Sequence, residues 1–277
     1  MTQSRLFRAA LTLAAAIALV FLLLPLVAIF LRVPPGDLFA QLGSEVAIDA
    51  IVVTVKANAI ALTLILVVGT PASYLIAARR FRGRAFLITL VELPLVLPPA
   101  VAGIALLATF GRLGLLGGTF DALGVSIGLG TQTAVVLAVA YVASPFYLRQ
   151  AIASFEALDQ ALLDASRTLG AGPARTFFRI ALPLASKALA AGAALAFARG
   201  IGEFGATIMF AGSLQGVTQT LSLAIYAQFD LNFDTALALG ALLVIVSAAI
   251  LLAVKLLPPW TRSTSTSLFP FARFGSS

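Results

Sequence analysis

The sequence predicts an all-α integral membrane protein, a bundle of about six transmembrane helices, and three observations lead to this prediction. Of the 277 residues, 61% are hydrophobic and only 10% are charged, whereas soluble globular proteins are about half apolar and about a quarter charged. Several apolar runs reach the roughly 20 residues that a helix needs to cross a bilayer. Basic residues gather at the ends of these runs, as the positive-inside rule expects. We therefore interpret residues 1–277 as a single transmembrane domain.

The first apolar run, Ala9–Leu31, follows Arg5 and Arg8 and ends before Arg32. A cleaved signal peptide also begins with basic residues, but its apolar stretch spans only about 7–15 residues. This run is longer, so we expect an uncleaved first helix at about residues 9–31.

The other apolar runs form the core of the predicted bundle, at about residues 50–257. The third run contains Pro94, Pro98 and Pro99, so we expect part of it to be kinked or extended. Irregular backbone at membrane depth persists only where protein or a water-filled cavity covers it. The predicted runs are Ala50–Ala78, Phe86–Phe110, Thr131–Ala151, Leu189–Ala211 and Thr235–Leu257.

The distribution of basic residues predicts the orientation of the bundle. With six helices, 14 of the 18 basic residues lie on one side together with both termini, and that side is expected to be cytoplasmic. The opposite side holds only Arg32 and Arg112. The 14 residues are Arg5, Arg8, Arg79, Arg80, Arg82, Arg84, Arg149, Arg167, Arg175, Arg179, Lys187, Lys255, Arg262 and Arg273.

The composition also excludes several classes of site. The chain has no cysteine and no histidine, which excludes thiolate and imidazole metal sites, Cys–His nucleophiles and Ser–His–Asp triads. We expect no catalytic residue, no metal and no cofactor. The three lysines, Lys56, Lys187 and Lys255, lie outside any GxxxxGK[ST] loop, so the chain carries no Walker A site. Because the basic residues lie at helix ends, the net charge of +7 does not indicate a nucleic-acid partner.

The longest segment between runs on the basic side, about residues 152–187, predicts two short helices separated by a sharp turn. Gly170 suits the left-handed C′ position after the first helix, and Pro173 suits the first turn of the second. An amphipathic helix among lipid headgroups would have the same periodicity. Leu158, Leu162, Ala165 and Leu169 would form one apolar stripe on the first helix, and Phe177, Ile180, Ala181 and Leu184 one side of the second.

The spacing within this segment resembles the EAA loop of ABC importer permeases, which reads EAA, three residues, G, nine residues, I-x-L-P. This chain has Asp164-Ala165-Ser166, then Gly170, then Ile180-x-Leu182-Pro183, with Asp for the Glu and Ser for the second Ala. The resemblance implies a type I ABC importer permease in a prokaryotic cytoplasmic membrane. It also implies that this cytoplasmic coupling loop docks on separate ATPase subunits, two per transporter, so the chain itself is not an enzyme.

Three further stretches, Glu92–Pro99, Ala198–Gly212 and Thr218–Tyr226, resemble the molybdate-type permease family, which is related to sulfate permeases. The resemblance covers most of residues 80–257. It implies import of an oxyanion, molybdate or tungstate first and sulfate as the alternative. It further implies a separate periplasmic or surface binding protein that selects the anion, and a second permease copy.

Two charged residues within the fifth run, Arg199 and Glu203, are four residues apart, so they would share a helix face and pair. Ionisable groups inside lipid are costly and default to functional hypotheses. Two interpretations of Arg199 stay open: an ion pair that locks the bundle, or a direct contact with the anion, which Glu203 would oppose. The rest of the intramembrane motif is Gly202, Gly205 and Thr207, of which the glycines, together with Gly200, would permit close helix packing.

The charged residues also bear on two other classes of function. An ion-driven secondary transporter would need a titratable site in the membrane, for which the candidates are Lys56, Glu92, Arg199 and Glu203. Lys56 and Glu92 are expected to extend to an interface instead. A membrane enzyme is disfavoured because the chain has neither histidine nor cysteine, and no paired carboxylates within the apolar runs.

Overall fold

The computed structural model describes residues 2–32, 35–78 and 81–256, and the regular elements of these residues are helices. Five helices are long and apolar enough to cross a membrane, and a bent pair makes up to six, which confirms the prediction of about six spans. The helices are α1 (Thr2–Arg32), α2 (Pro35–Leu42), α3 (Glu45–Ala78), α4 (Arg84–Val96), α5 (Pro99–Phe110), α6 (Gly117–Ala122), α7 (Gln132–Glu156), α8 (Gln160–Thr168), α9 (Pro173–Thr176), α10 (Leu182–Ile201), α11 (Gly205–Phe210), α12 (Leu221–Gln228) and α13 (Phe233–Leu256). A turn of π-helix, Phe177–Ala181, joins α9 to α10.

The centre of the bundle is formed by α3, α7 and α10. Tyr147 of α7 is fully buried there, and its hydroxyl lies 2.6 Å from the hydroxyl of Thr70 on α3. Gly69 of α3 and Gly192 of α10 leave room for this ring, since a Cβ at either would lie within 3.4 Å of it. By contrast, the side chains of α1 between residues 7 and 32 are almost all exposed, and α1 packs along α13.

The predicted third run is two helices rather than one. α4 and α5 meet at 112°, and Leu97 and Pro98 between them are extended. This confirms the expected kink, and the proline pair is its cause, because proline cannot continue the hydrogen-bond ladder of the preceding helix.

The predicted fifth run, Leu189–Ala211, does not form one helix. α10 ends at Ile201, residues 202–204 form a break, and α11 begins at Gly205. Gly202 occupies the C-cap of α10, and glycine is a poor residue with which to continue a helix. The apolar pattern continues across the break because the end of α10 and the start of α11 are both largely buried.

The segment between α7 and α10 is shorter than expected. α7 continues to Glu156, and the helix from Pro173 passes through the π turn into α10, forming one span of 29 residues, Pro173–Ile201. We call this span the long helix. The predicted second short helix is therefore the start of a membrane span. Residues 157–172 connect α7 to the long helix, and we call them the α8 segment.

Candidate functional site

The turn after α8 has the geometry of a Schellman motif. Gly170 has a φ of +82°, and its N–H donates to the carbonyl of Arg167 at 3.0 Å. The N–H of Ala171 donates to the carbonyl of Ser166, also at 3.0 Å. These are the two bonds by which this motif satisfies the last carbonyls of a helix. The predicted left-handed glycine is confirmed, and it fixes the direction in which α8 leaves the long helix.

A buried pair of hydroxyls holds α8 against the start of the long helix. The Ser166 and Thr176 oxygens are 3.0 Å apart, and Ser166 also donates to the carbonyl of Leu163 at 2.8 Å. Ser166 and Thr176 are both buried. The serine that replaces the second alanine of the EAA pattern thus faces the chain itself and ties its two helices together.

The opposite face of α8 is apolar and exposed. Leu162 is 50% exposed, Leu169 is 88% exposed, and Ala165 between them is also exposed. We call these three residues the outer face of α8. The predicted stripe is corrected in one member: Leu158 precedes the helix and is buried, because α8 begins only after its N-cap, Asp159. Asp164, at the other replaced position, is exposed and pairs with Arg167 at 2.9 Å.

The Ile180-x-Leu182-Pro183 element connects α8 to the core. Ile180 and Leu182 are partly buried and pack on the cluster that contains Tyr147, whereas Pro183 is exposed in the first turn of α10. Nearby, the rings of Tyr74 on α3 and Phe177 on the long helix have their centroids 4.8 Å apart. The start of the long helix is therefore anchored in the bundle, while the outer face of α8 is exposed.

The intramembrane pair forms as predicted, but in a different setting. Arg199 Nη2 lies 2.7 Å from Glu203 Oε2. Glu203 is only 1% exposed and lies in the break after α10 instead of on that helix. Its Oε1 accepts a hydrogen bond of 2.8 Å from the N–H of Ala206, in the first turn of α11. A carboxylate at a helix N-terminus is also favoured by the helix dipole.

The prediction that the motif glycines permit close helix packing is confirmed at Gly205 and wrong at Gly202, where an added Cβ would meet no atom closer than 4.0 Å. A Cβ on Gly205 would lie 2.6 Å from Cβ of Pro99, and one on Gly103 would lie 2.7 Å from the carbonyl oxygen of Ala206. α5 and α11 therefore pack backbone to backbone. Thr207 is fully buried beside them, and its hydroxyl has no hydrogen-bond partner among the described residues.

Sequence reasoning missed a buried polar pair on α3. Thr54 Oγ1 accepts from the N–H of Leu221 at 2.8 Å, at the start of α12. Asn58 packs on Gly200, where an added Cβ would lie 2.2 Å from Asn58 Oδ1. Both residues are 1% exposed. The sequence does contain a signal for this pair: Thr54 and Asn58 are polar residues four apart in an apolar run, so they share one helix face.

Lys56 and Glu92, the other two candidates for a titratable site in the membrane, also have partners within the chain. Lys56 Nζ donates to Gln132 Oε1 at 2.8 Å, and Glu92 pairs with Arg149 at 3.0 Å. The Lys56–Gln132 contact joins α3 to α7, and the Glu92–Arg149 pair joins α4 to α7.

Comparisons with known proteins agree with these features. Residues 69–263 match the family described as "Binding-protein-dependent transport system inner membrane component". The chain is 43% identical over 243 residues to the molybdenum transport system permease protein ModB of Mycobacterium tuberculosis, covering 85% of this chain and 89% of the relative. It is 35% identical over 242 residues to the probable transport system permease protein NifC of Clostridium pasteurianum, covering 87% and 84%.

Solved structures with similar folds include chains of two transporters. A chain of a bacterial alginate ABC transporter in complex with its pentasaccharide-bound periplasmic protein superposes with a TM-score of 0.71 at 17% identity, covering 91% of this chain and 93% of that one. A chain of the MetNI methionine ABC transporter gives a TM-score of 0.57 at 19% identity, covering 75% and 92%. These likenesses confirm the expected all-α, type I ABC importer permease architecture.

Proposed function

We propose, because this chain belongs to the family of binding-protein-dependent transport system inner membrane components, that it conducts molybdate or tungstate as the permease subunit of an ABC importer. The chain is a multi-pass membrane protein and a transporter permease. The observation that supports the substrate is the 43% identity, over 85% of the chain, to a permease named for molybdenum transport. Sulfate is the second candidate, since the Gly202–Ala206 stretch also resembles sulfate permeases.

The outer face of α8 is the proposed dock for the ATPase. Leu162 and Leu169 expose apolar area around the small Ala165, which allows a partner's surface to approach closely. The Schellman turn and the Ser166–Thr176 hydroxyl pair hold this face at a fixed angle to the long helix. A partner that moves α8 would therefore move the long helix as a rigid lever.

The proposed assembly contains two copies of this chain and two ATPase subunits. One chain offers one α8 segment, and ABC ATPases work as pairs. Mass measurement of the purified complex tests this stoichiometry, and a mass that fits a single copy of the chain would contradict it.

The proposed orientation places the α8 segment and both termini in the cytoplasm. The absence of native cysteine allows clean labelling of single cysteines introduced at Arg82, which is exposed, and at Asp121, between α5 and α7. A reagent that cannot cross the membrane should label position 121 from outside intact cells and position 82 only after lysis. Labelling of both positions from the same side would exclude the six-helix orientation.

The function itself is tested with proteoliposomes that contain the chain, its ATPase and its binding protein. We expect ATP-dependent uptake of labelled molybdate or tungstate, with little competition from excess sulfate. Uptake of sulfate in preference to both would assign the second candidate. Anion uptake that proceeds without ATP but follows an imposed ion gradient would support a secondary transporter and overturn the proposal.

A further inference from the structure

A buried carboxylate links the end of the long helix to α11, the helix that follows it. The helix begins at Pro173, next to the proposed ATPase dock, and ends at Ile201. Beyond it, Gly202 breaks the helix, and Glu203 is held with its N–H donating to the carbonyl of Gly200 at 3.1 Å. A break at the end of a helix loosens its link to the next element, and a side chain that bridges the break strengthens that link.

Glu203 bridges the break with both of its carboxylate oxygens. Oε2 lies 2.7 Å from the guanidinium of Arg199, in the last turn of the long helix, and Oε1 accepts from the N–H of Ala206, in the first turn of α11. The other three ion pairs of the described residues involve carboxylates whose side chains are 37%, 42% and 65% exposed, whereas Glu203 is 1% exposed. Solvent screens exposed pairs, whereas the carboxylate of this pair is buried and its Arg199 partner is 28% exposed.

The far side of the joint leads directly to the bend between α4 and α5. α11 is packed on α5 through the glycine contacts at Gly103 and Gly205, so these two helices form one unit. Arg199 itself lines a cavity of about 110 Å³ beneath the bend, together with Pro94, Leu97 and Pro99. Arg199 therefore pairs with Glu203 and also lies beside the bent pair.

We infer that Glu203 is the joint that makes the long helix and the α5–α11 unit move as one body, so that motion imposed at α8 reaches the α4–α5 bend. This inference rests on the proposed function for its source of motion. It assigns Glu203 and Arg199 a positioning role and favours the ion-pair interpretation of Arg199 over direct contact with the anion. The contact between Arg199 and Oε2 is an ion pair without a hydrogen bond, since Oε2 has no hydrogen-bond partner among the described residues. The bond from the Ala206 N–H to Oε1 is charge-assisted, and such bonds are roughly twice as strong as neutral ones.

The joint is tested first in the full chain reconstituted in lipid nanodiscs, by measuring the distance between two spin labels. One label replaces Ala190, exposed on α10, and the other replaces Ile104, 55% exposed on α5. Labelled chain is diluted with unlabelled chain, so that only distances within one copy are recorded. The wild-type joint should give one narrow distance distribution.

Glu203→Gln keeps an oxygen that can accept from Ala206 but removes the ion pair. We expect its distance distribution to broaden by about twofold or more, as separate populations of the two bodies appear. The matched control is Glu92→Gln, which removes the Glu92–Arg149 pair between α4 and α7 and leaves the joint intact. The control should keep the wild-type width. A Glu203→Gln variant as narrow as wild type would overturn the inference.

An unpaired arginine inside the membrane is costly, so Glu203→Gln alone can fail to insert. If Glu203→Gln does not insert, the double variant Arg199→Gln/Glu203→Gln takes its place in the distance measurement, because it leaves no unpaired charge. It should broaden the distribution in the same way, and a narrow distribution in the double variant would equally reject the joint.

Transport coupling provides a second readout. In proteoliposomes, the Glu203 variants should hydrolyse several-fold more ATP per anion imported than wild type, because ATPase motion no longer reaches the bend. A merely structural role would lower the amount of folded protein and leave this ratio unchanged, which would contradict the inference. The spin-label distances need no partner and no substrate. If the wild-type chain imports no oxyanion, but its distance distribution is narrow and that of the Glu203 variants is broad, the proposed function is rejected and the joint is retained.

Discussion

Replacing Gly170 with alanine should weaken the attachment of the ATPase, whereas the same replacement at Gly172 should not. A Cβ added at either position meets no atom within 4 Å, so steric clash is excluded at both. The two glycines differ in backbone conformation: Gly170 has a φ of +82°, and Gly172 has a φ of −68°. The pair therefore separates the cost of the left-handed conformation from the steric effect of adding a methyl group.

The size of the effect follows from this conformation. A residue with a Cβ loses about 1–2 kcal/mol in the left-handed region, and Gly170 must stay there to keep the angle of α8. If the free α8 segment relaxes and the docked one cannot, the whole strain appears in binding. The apparent Kd for the ATPase should then rise by about 5–30-fold in Gly170→Ala. Gly172→Ala should leave the Kd close to the wild-type value, because alanine adopts a φ of −68° without strain.

The assay is a titration of the ATPase subunits onto the chain in nanodiscs, for wild type and both variants. Gly170→Asn serves as a third variant, because asparagine tolerates the left-handed region better than alanine does, and its Kd should lie between those of wild type and Gly170→Ala. Equal affinities for Gly170→Ala and Gly172→Ala would refute the reasoning. Gly170→Asn binding as weakly as Gly170→Ala would also count against it.

Three further predictions concern the same regions. Ala165→Glu should leave the thermal stability of the chain unchanged, because the position is exposed. In a pull-down it should release the ATPase, because docking would bury an unpaired charge, and retained binding would exclude the proposed dock. Gly103→Ala should lower the free energy of unfolding by about 1–3 kcal/mol through overpacking against α11. Its control, Gly118→Ala, adds a methyl group in open space and should not, so equal melting temperatures for the two variants would contradict the packing. Ser166→Ala should destabilise the α8 segment by about 1–3 kcal/mol, because the buried Thr176 hydroxyl loses its partner. Ser166→Ala/Thr176→Val should recover part of this loss in hydrogen exchange, and equal losses in the single and double variants would argue against the pair.

The parts of the fold that depend on local pattern were predicted from the sequence. Hydropathy located the spans, and the proline cluster located the bend at Leu97 and Pro98, because both effects act within a few residues. The left-handed turn at Gly170 was predicted for the same reason. Each of these features follows from residues that are neighbours along the chain.

The parts that depend on contacts between distant segments were not predicted. Apolar periodicity does not distinguish a face that packs on the chain from one that awaits a partner, so Leu158 and Leu162 were placed on one stripe. Ser166 was assigned to the dock because its partner, Thr176, lies across the turn. The burial of Asn58 against Gly200 depends on the register of α3 against α10, which neither helix specifies by itself.

The proline pair at the bend also reduces the number of unpaired amide donors there. The first four N–H groups of a helix normally lack a partner within it, and in an apolar surrounding each such group costs several kcal/mol. In α5 the first two of these positions are Pro98 and Pro99, which have no N–H, and the N–H of Ala102 already donates to the carbonyl of Pro98 at 3.1 Å. Only the amides of Ala100 and Val101 remain without a helical acceptor. A new helix can therefore begin at this bend with half the usual number of unsatisfied donors, which lets the backbone turn within an apolar region without a surrounding shell of polar groups.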